Sequence, residues 1–213
     1  MKNLIFLTTL GALLFTSCSK DEIIEPVADQ AVDSVYIMKQ VDDQTIFEAT
    51  SIEAIQQELT GTPVKMAGRT MTTNGYFTNG LRDIATITWA GTQTERDVTG
   101  SATVYISTPT QTLHFILKTE CVNVTGNEAV YGGLVTRVIE ASGEGRFLEK
   151  GWRFYFKVID FNGVSRYEVD KISKARVFSA PGSLSFCGLD VRSPLWASHG
   201  YDKILSPGFA VVE

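Results

Sequence analysis

Leu113-His114-Phe115-Ile116-Leu117-Lys118-Thr119-Glu120-Cys121 is the stretch whose reading decides the fold class. Leu113, Phe115, Leu117, Thr119 and Cys121 fall on one side of an extended chain, and His114, Lys118 and Glu120 on the other. A period of two predicts a β-strand with one buried face. The same alternation recurs on both sides. Ala85, Ile87 and Trp89 alternate with Thr86 and Thr88, and Ala102, Val104 and Ile106 with Ser101, Thr103 and Tyr105. Further on, Trp152, Phe154, Phe156 and Val158 alternate with Arg153, Tyr155 and Lys157. Clusters of Gly, Asn, Pro and Ser part these runs, which is the pattern of antiparallel strands wet on one side.

Several short strands at this spacing predict a mainly β chain, with an antiparallel β-sandwich or flattened barrel over residues 81–213. Asn162-Gly163 is a hairpin turn signal after the Trp152 strand, while Gly143, Gly145 and Gly151 loosen the connection before it. No repeat of fixed period runs through the chain, which argues against a propeller or solenoid.

Residues 34–80 read as a smaller appendage. Val35 to Phe47 predicts a hairpin turning at Asp42-Asp43. Ser51 to Leu59 predicts one short N-terminal helix: Thr50 and Glu53 form a capping box, Ile52, Ile55 and Leu59 line one face, and Gly61 is a stop signal. Gly61 to Asn79, rich in Gly, Thr and Asn, predicts loop with one short strand at most.

The chain begins MKNLIFLTTLGALLFTSCSKDE. Lys2 is a positive n-region, and Leu4 to Phe15 is apolar apart from Thr8 and Thr9. That run is shorter than the about 20 residues that a membrane-spanning helix needs, and has the length of a signal-peptide h-region. Thr16 and Ser17 place small side chains before Cys18. The stretch Leu14-Phe15-Thr16-Ser17-Cys18 resembles a lipobox, which implies cleavage of residues 1–17 and acylation of Cys18. Phe15 departs from the commonest form of that motif, in a way similar to Bacteroidota lipoproteins. Ser19-Lys20-Asp21-Glu22 resembles the export signal of the same group, which implies the outer membrane and its external face. A periplasmic face, with the charges serving only as a solvated tether, is the alternative. Residues 18–33, acidic and holding Pro26, read as that tether. At its end Asp33-Ser34-Val35 resembles the Bacteroidota O-glycosylation signal, which makes Ser34 a candidate acceptor.

Nineteen basic residues against 24 acidic give a net charge of −5. With no Lys/Arg cluster, the chain lacks an electrostatic footprint for nucleic acid. Besides Cys18, only Cys121 and Cys187 are cysteines. An isolated pair in an oxidising compartment suggests a disulfide, and two buried free thiols are the alternative. No CxxC pair exists and the only histidines are His114 and His199, so the sequence offers no zinc site.

Within 97–178 the chain resembles a family of secreted bacterial β-domains of uncharacterised function. The resemblance lies in Gly100-Ser101-Ala102, in the turn from Cys121 through Gly126-Asn127 to Ala129, in Gly132-Gly133-Leu134-Val135-Thr136, in Asp170-Lys171-Ile172-Ser173 and in the later Cys187. Asn162-Gly163-Val164 is shorter than the acidic loop those relatives carry. The resemblance implies a β-sandwich and a structural role for both cysteines, and no reaction.

Direct motifs for chemistry are few. His114 reads as a surface histidine in mid-strand. Ser198, His199 and Asp202 are neighbours in sequence, which is not how a catalytic triad is assembled, and GxSxG is missing. Asp160 and Glu168, a conceivable carboxylate pair, flank the Asn162-Gly163 turn as solvated turn residues. Asp160, Asn162 and Asp170 lack EF-hand spacing for calcium. Trp196, Tyr201 and Phe209, in an irregular stretch with Pro194 and Pro207, have two readings: aromatics that stack on sugar rings, or caps on the open end of the core. The expectation is a non-enzymatic, lipid-anchored β-protein without cofactor or metal, whose partners are the membrane and a glycan or protein. A carbohydrate- or ester-directed hydrolase, or a glycan-binding accessory lipoprotein of a nutrient-uptake system, is the alternative.

Overall fold

The computed structural model describes residues 35–41, 44–51, 55, 70–80, 84–161, 170–183, 185–198, 200–204 and 210–212. The strands are β1 (Val35–Val41), β2 (Gln44–Thr50), β3 (Met71–Gly80), β4 (Ile84–Gln93), β5 (Val98–Thr108), β6 (Gln111–Thr125), β7 (Glu128–Ala141), β8 (Arg153–Ile159), β9 (Lys171–Ser173), β10 (Arg176–Ser179), β11 (Tyr201–Lys203) and β12 (Ala210–Val212). A 3-10 turn spans Gly143–Phe147, another Phe186–Gly188, and one short helix, α1, covers Pro194–Ser198. The fold is mainly β and antiparallel, as the alternation predicts.

All the strands belong to one sheet, in the order β12-β3-β4-β5-β6-β7-β8-β10-β1-β2, with β9 on β8 and β11 on β9. Among the described residues the path does not close into a barrel. It does curl. Trp89 on β4 and Phe156 on β8 stand four places apart in the order, about 19 Å in a flat sheet, yet their rings are 5.3 Å apart. The halves of the sheet therefore face each other in the manner of a sandwich, joined by continuous hydrogen bonding.

The curl has a local cause. Register shifts fall between His114 and Phe115, Ile116 and Leu117, and Thr119 and Cys121 in the β6–β7 pair. Each extra residue adds bend and right-handed twist at the middle of the sheet. The first two leave the extra residue on β7, and Ile139, one of them, is turned out at 46% exposure.

Inside the curl lies an aromatic core: Trp89, Phe115, Tyr131, Phe154, Phe156 and Phe178, with Met38, Ile87, Val104 and Leu117 between them. Phe154 and Phe178 meet at 4.7 Å, and Tyr131 stacks on Phe156 at 5.1 Å. Hydrogen bonds satisfy the polar ends, Trp89 Nε1 donating to Thr73 Oγ1 at 3.1 Å and the Tyr131 hydroxyl meeting Thr119 Oγ1 at 2.8 Å.

Where the composition of Gly61–Asn79 predicts loop with one short strand at most, the strand found there is the ten-residue β3, paired with β4 from Met71↔Gln93 to Gly80↔Ile84. β1, β2 and β3, from the segment that the sequence sets apart as an appendage, are strands of the common sheet. Cys121 leaves the face of Leu113, Phe115, Leu117 and Thr119, because the bulge at Glu120 turns it outward. Of the helix expected over Ser51–Leu59 the structure describes only Ser51 and Ile55, the latter helical and buried. The turns at Asp42-Asp43 and Asn162-Gly163 lie outside the described residues.

Candidate functional site

The outer face of the sheet is not uniformly wet. On β8, Tyr155 and Lys157 are both buried although they alternate with the inward Phe154, Phe156 and Val158. The Tyr201 ring lies beside Lys157 Nζ, and segment 185–198 covers Tyr155. That segment lays Phe186, Leu189, Val191, Leu195 and Trp196 over Val130, Tyr155, Ala175, Val177, Val35 and Ile37, forming a second apolar core separate from the aromatic one.

A disulfide holds this layer. Cys121 and Cys187 are joined with their Cα atoms 5.6 Å apart. The β6 bulge puts Glu120 and Cys121 side by side on the outer face while Thr119, Val122 and Val124 point in. Gly132 faces Cys121 across the ladder, and a Cβ there would lie 2.6 Å from Cys121 Sγ and 2.7 Å from the Tyr155 ring. Hydrogen bonds add to the clasp: Asn123 Nδ2 donates to Leu189 O at 3.1 Å, and the Phe186 N–H donates to the Tyr155 hydroxyl at 3.1 Å. Glu120 also engages Arg153 Nε at 2.7 Å, and Arg153 Nη1 reaches Ser183 O at 3.4 Å. Burial raises the Tyr155 phenol above its usual range, against the pull of its hydrogen bonds to Ser185 and Phe186.

Beside the layer the sheet forks. β8 carries β9 on one part of its edge and β10 on the next, and beyond them β9 takes β11 while β10 takes β1. The Ser173 hydroxyl spans the break, accepting from the Lys157 N–H at 3.1 Å and donating to Ala175 O at 2.8 Å. Charges gather at the fork. Asp202 lies 3.8 Å from both Lys174 Nζ and Arg176 Nη2, and Lys157 Nζ is 3.0 Å from Glu128 Oε2. Burial lowers the Arg176 guanidinium to about 10, and the Asp202 carboxylate opposes the shift. It remains charged at neutral pH, so Asp202 serves first as its counter-ion.

The aromatics expected to stack on sugars divide. Trp196 is buried at 0% exposure with Nε1 donating to Asp190 O at 3.1 Å, so its ring is not available to a ligand. Nor does it cap an end of the core; it seals the outer face. Tyr201 is half-buried on β11, with Lys157 Nζ 5.8 Å from its ring centroid. His114 is half-buried on the outer face of β6, edge-on to Tyr105 at 5.5 Å. Ser198 Oγ donates to Leu195 O at 2.9 Å, and Asp202 lies 3.8 Å from each of two cations. Asp170 Oδ1 accepts from the Phe161 N–H at 2.9 Å. Among the described residues no group of three His, Cys, Asp or Glu is placed to hold a metal ion. Cys18, Ser34, Asn162, Glu168, His199 and Phe209 lie outside those residues.

The sequence reading missed the Lys157–Glu128 and Arg176–Asp202 pairs. Lys157 alternates with the inward Phe156 and Val158, and Arg176 with Val177 of the outer core. Their burial depends on how strands distant in sequence meet at the fork, so the sequence carries no local sign of it.

No family model matches the chain, and no curated protein or solved structure matches it.

Proposed function

We propose that this chain is a bacterial lipoprotein, cut before Cys18 and anchored by acyl chains on that residue, whose β-domain serves in interaction or envelope architecture rather than catalysis. The observation that carries the reading is Leu14-Phe15-Thr16-Ser17-Cys18, preceded by an apolar run of signal length and followed at once by Ser19-Lys20-Asp21-Glu22. Acyl chains at about 0.8 kcal/mol per buried CH₂ make such an anchor effectively permanent. The Cys121–Cys187 disulfide supports the same address, because stable disulfides belong to oxidising compartments. The lysine and two acids after Cys18 favour the external face of the outer membrane. Ser34, at the end of the tether, is where a glycan would be attached. The partner beyond the membrane is a glycan or a protein, and the acidic net charge speaks against nucleic acid.

Metabolic labelling with palmitate tests the anchor. Wild type is expected to take up label and Cys18→Ala to take up none. An unlabelled wild type removes the proposal.

A further inference from the structure

We infer that segment 185–198 is a redox-latched layer, which the Cys121–Cys187 bond keeps closed over the outer face and which opens as a unit on reduction while the aromatic core stays folded. Three observations carry it. The two apolar cores share no residue, and both cysteines belong to the outer one. The segment is a loop between β10 and β11, both of which hold their places in the sheet by backbone pairing that does not involve the segment itself. The bond is also reachable: Cys121 is 5% exposed, but Cys187 sits half-buried in the 3-10 turn beside the exposed Ser185.

The chemistry is a thiol–disulfide exchange with a dithiol as reductant. A dithiol thiolate attacks Cys187 Sγ, and Cys121 departs as thiolate and takes a proton. The second thiol of the reductant then displaces Cys187, which also becomes a thiol. The cysteines gain two electrons and the reductant leaves as a cyclic disulfide. Without the bond the layer retains Asn123 to Leu189 O, Phe186 to the Tyr155 hydroxyl, and its apolar contacts. Opening bares Val130, Tyr155 and Val177, an apolar strip that the oxidised protein hides.

Hydrogen exchange on the oxidised full chain, before and after treatment with a dithiol under native conditions, reads the two cores separately. Expected is a fall in protection on the order of a hundredfold across 185–198, with β4 to β8 unchanged. Tryptophan fluorescence gives a second reading, because Trp196 is in the outer core and Trp89 and Trp152 are in the inner one. Reduction is expected to shift emission to the red in wild type and not in Trp196→Phe. Protection kept across 185–198 after complete reduction overturns the inference. So does simultaneous loss across β4 to β8, or a red shift that persists in Trp196→Phe.

Discussion

Tyr131 shows how a single residue ties the inner core to its solution behaviour. Its ring is buried and stacked on Phe156, and its hydroxyl pairs with Thr119. Burial raises its pKa from 10.0 to about 12, outweighing the hydrogen bond to Thr119. A phenol whose folded pKa lies above its unfolded value gives stability that is complete below pH 10 and lost between pH 10 and about 12. Tyr131→Phe removes that alkaline loss. At pH 8 the variant is expected to be less stable by about 1 kcal/mol, the worth of the hydrogen bond. By pH 11 wild type has lost about 1 kcal/mol to the titration of Tyr131, so the gap closes. Tyr155 and Arg176 titrate in both proteins and drop out of the comparison. Urea unfolding at the two pH values measures it, and a gap that widens with pH contradicts the assignment. At this scale the sequence was legible wherever a residue faces inward: Trp89, Val104, Phe115 and Phe154 are all buried as the alternation predicts. Trp196 was not legible. Its isolation among loop residues says nothing about which surface it seals.

Elements were legible in proportion to their apolar contrast. β4, β5, β6 and β8 declare themselves because large side chains alternate with polar ones. β3 does not, since Thr-Thr-Asn-Gly offers little contrast, and its strand state comes from ten paired positions on β4. Nor does the bulge in β6 announce itself, because an inserted residue is visible only against its partner strand. The bulge yields a sharp expectation. With Glu120 removed, Thr119 still points in, Cys121 out and Val122 in, because the deletion restores plain alternation. The deletion protein is therefore expected to keep the disulfide. Its loss should be about 1 kcal/mol, from the half-buried pair with Arg153. Thiol titration under denaturing conditions checks it: no reactive thiol from Cys121 or Cys187 is expected, and two would contradict the facing described for β6.

For the whole molecule, the fold is a curled sheet with one core inside and a second beneath a disulfide-held layer. The alternation made the class legible, but not the second core, which depends on an aperiodic segment returning to a surface that reads as solvent-facing. The Cys121–Cys187 bond joins residues 66 apart in sequence and so ties that layer to β6. In the reading proposed above, Cys18 acts through location, joining the folded domain to a membrane by way of an acidic tether. Intact mass spectrometry of the protein extracted from membranes tests that claim most directly. The account predicts a chain lacking residues 1–17 and carrying acyl groups on Cys18. A chain that retains those residues, or one that is cut there and bears no lipid, contradicts it.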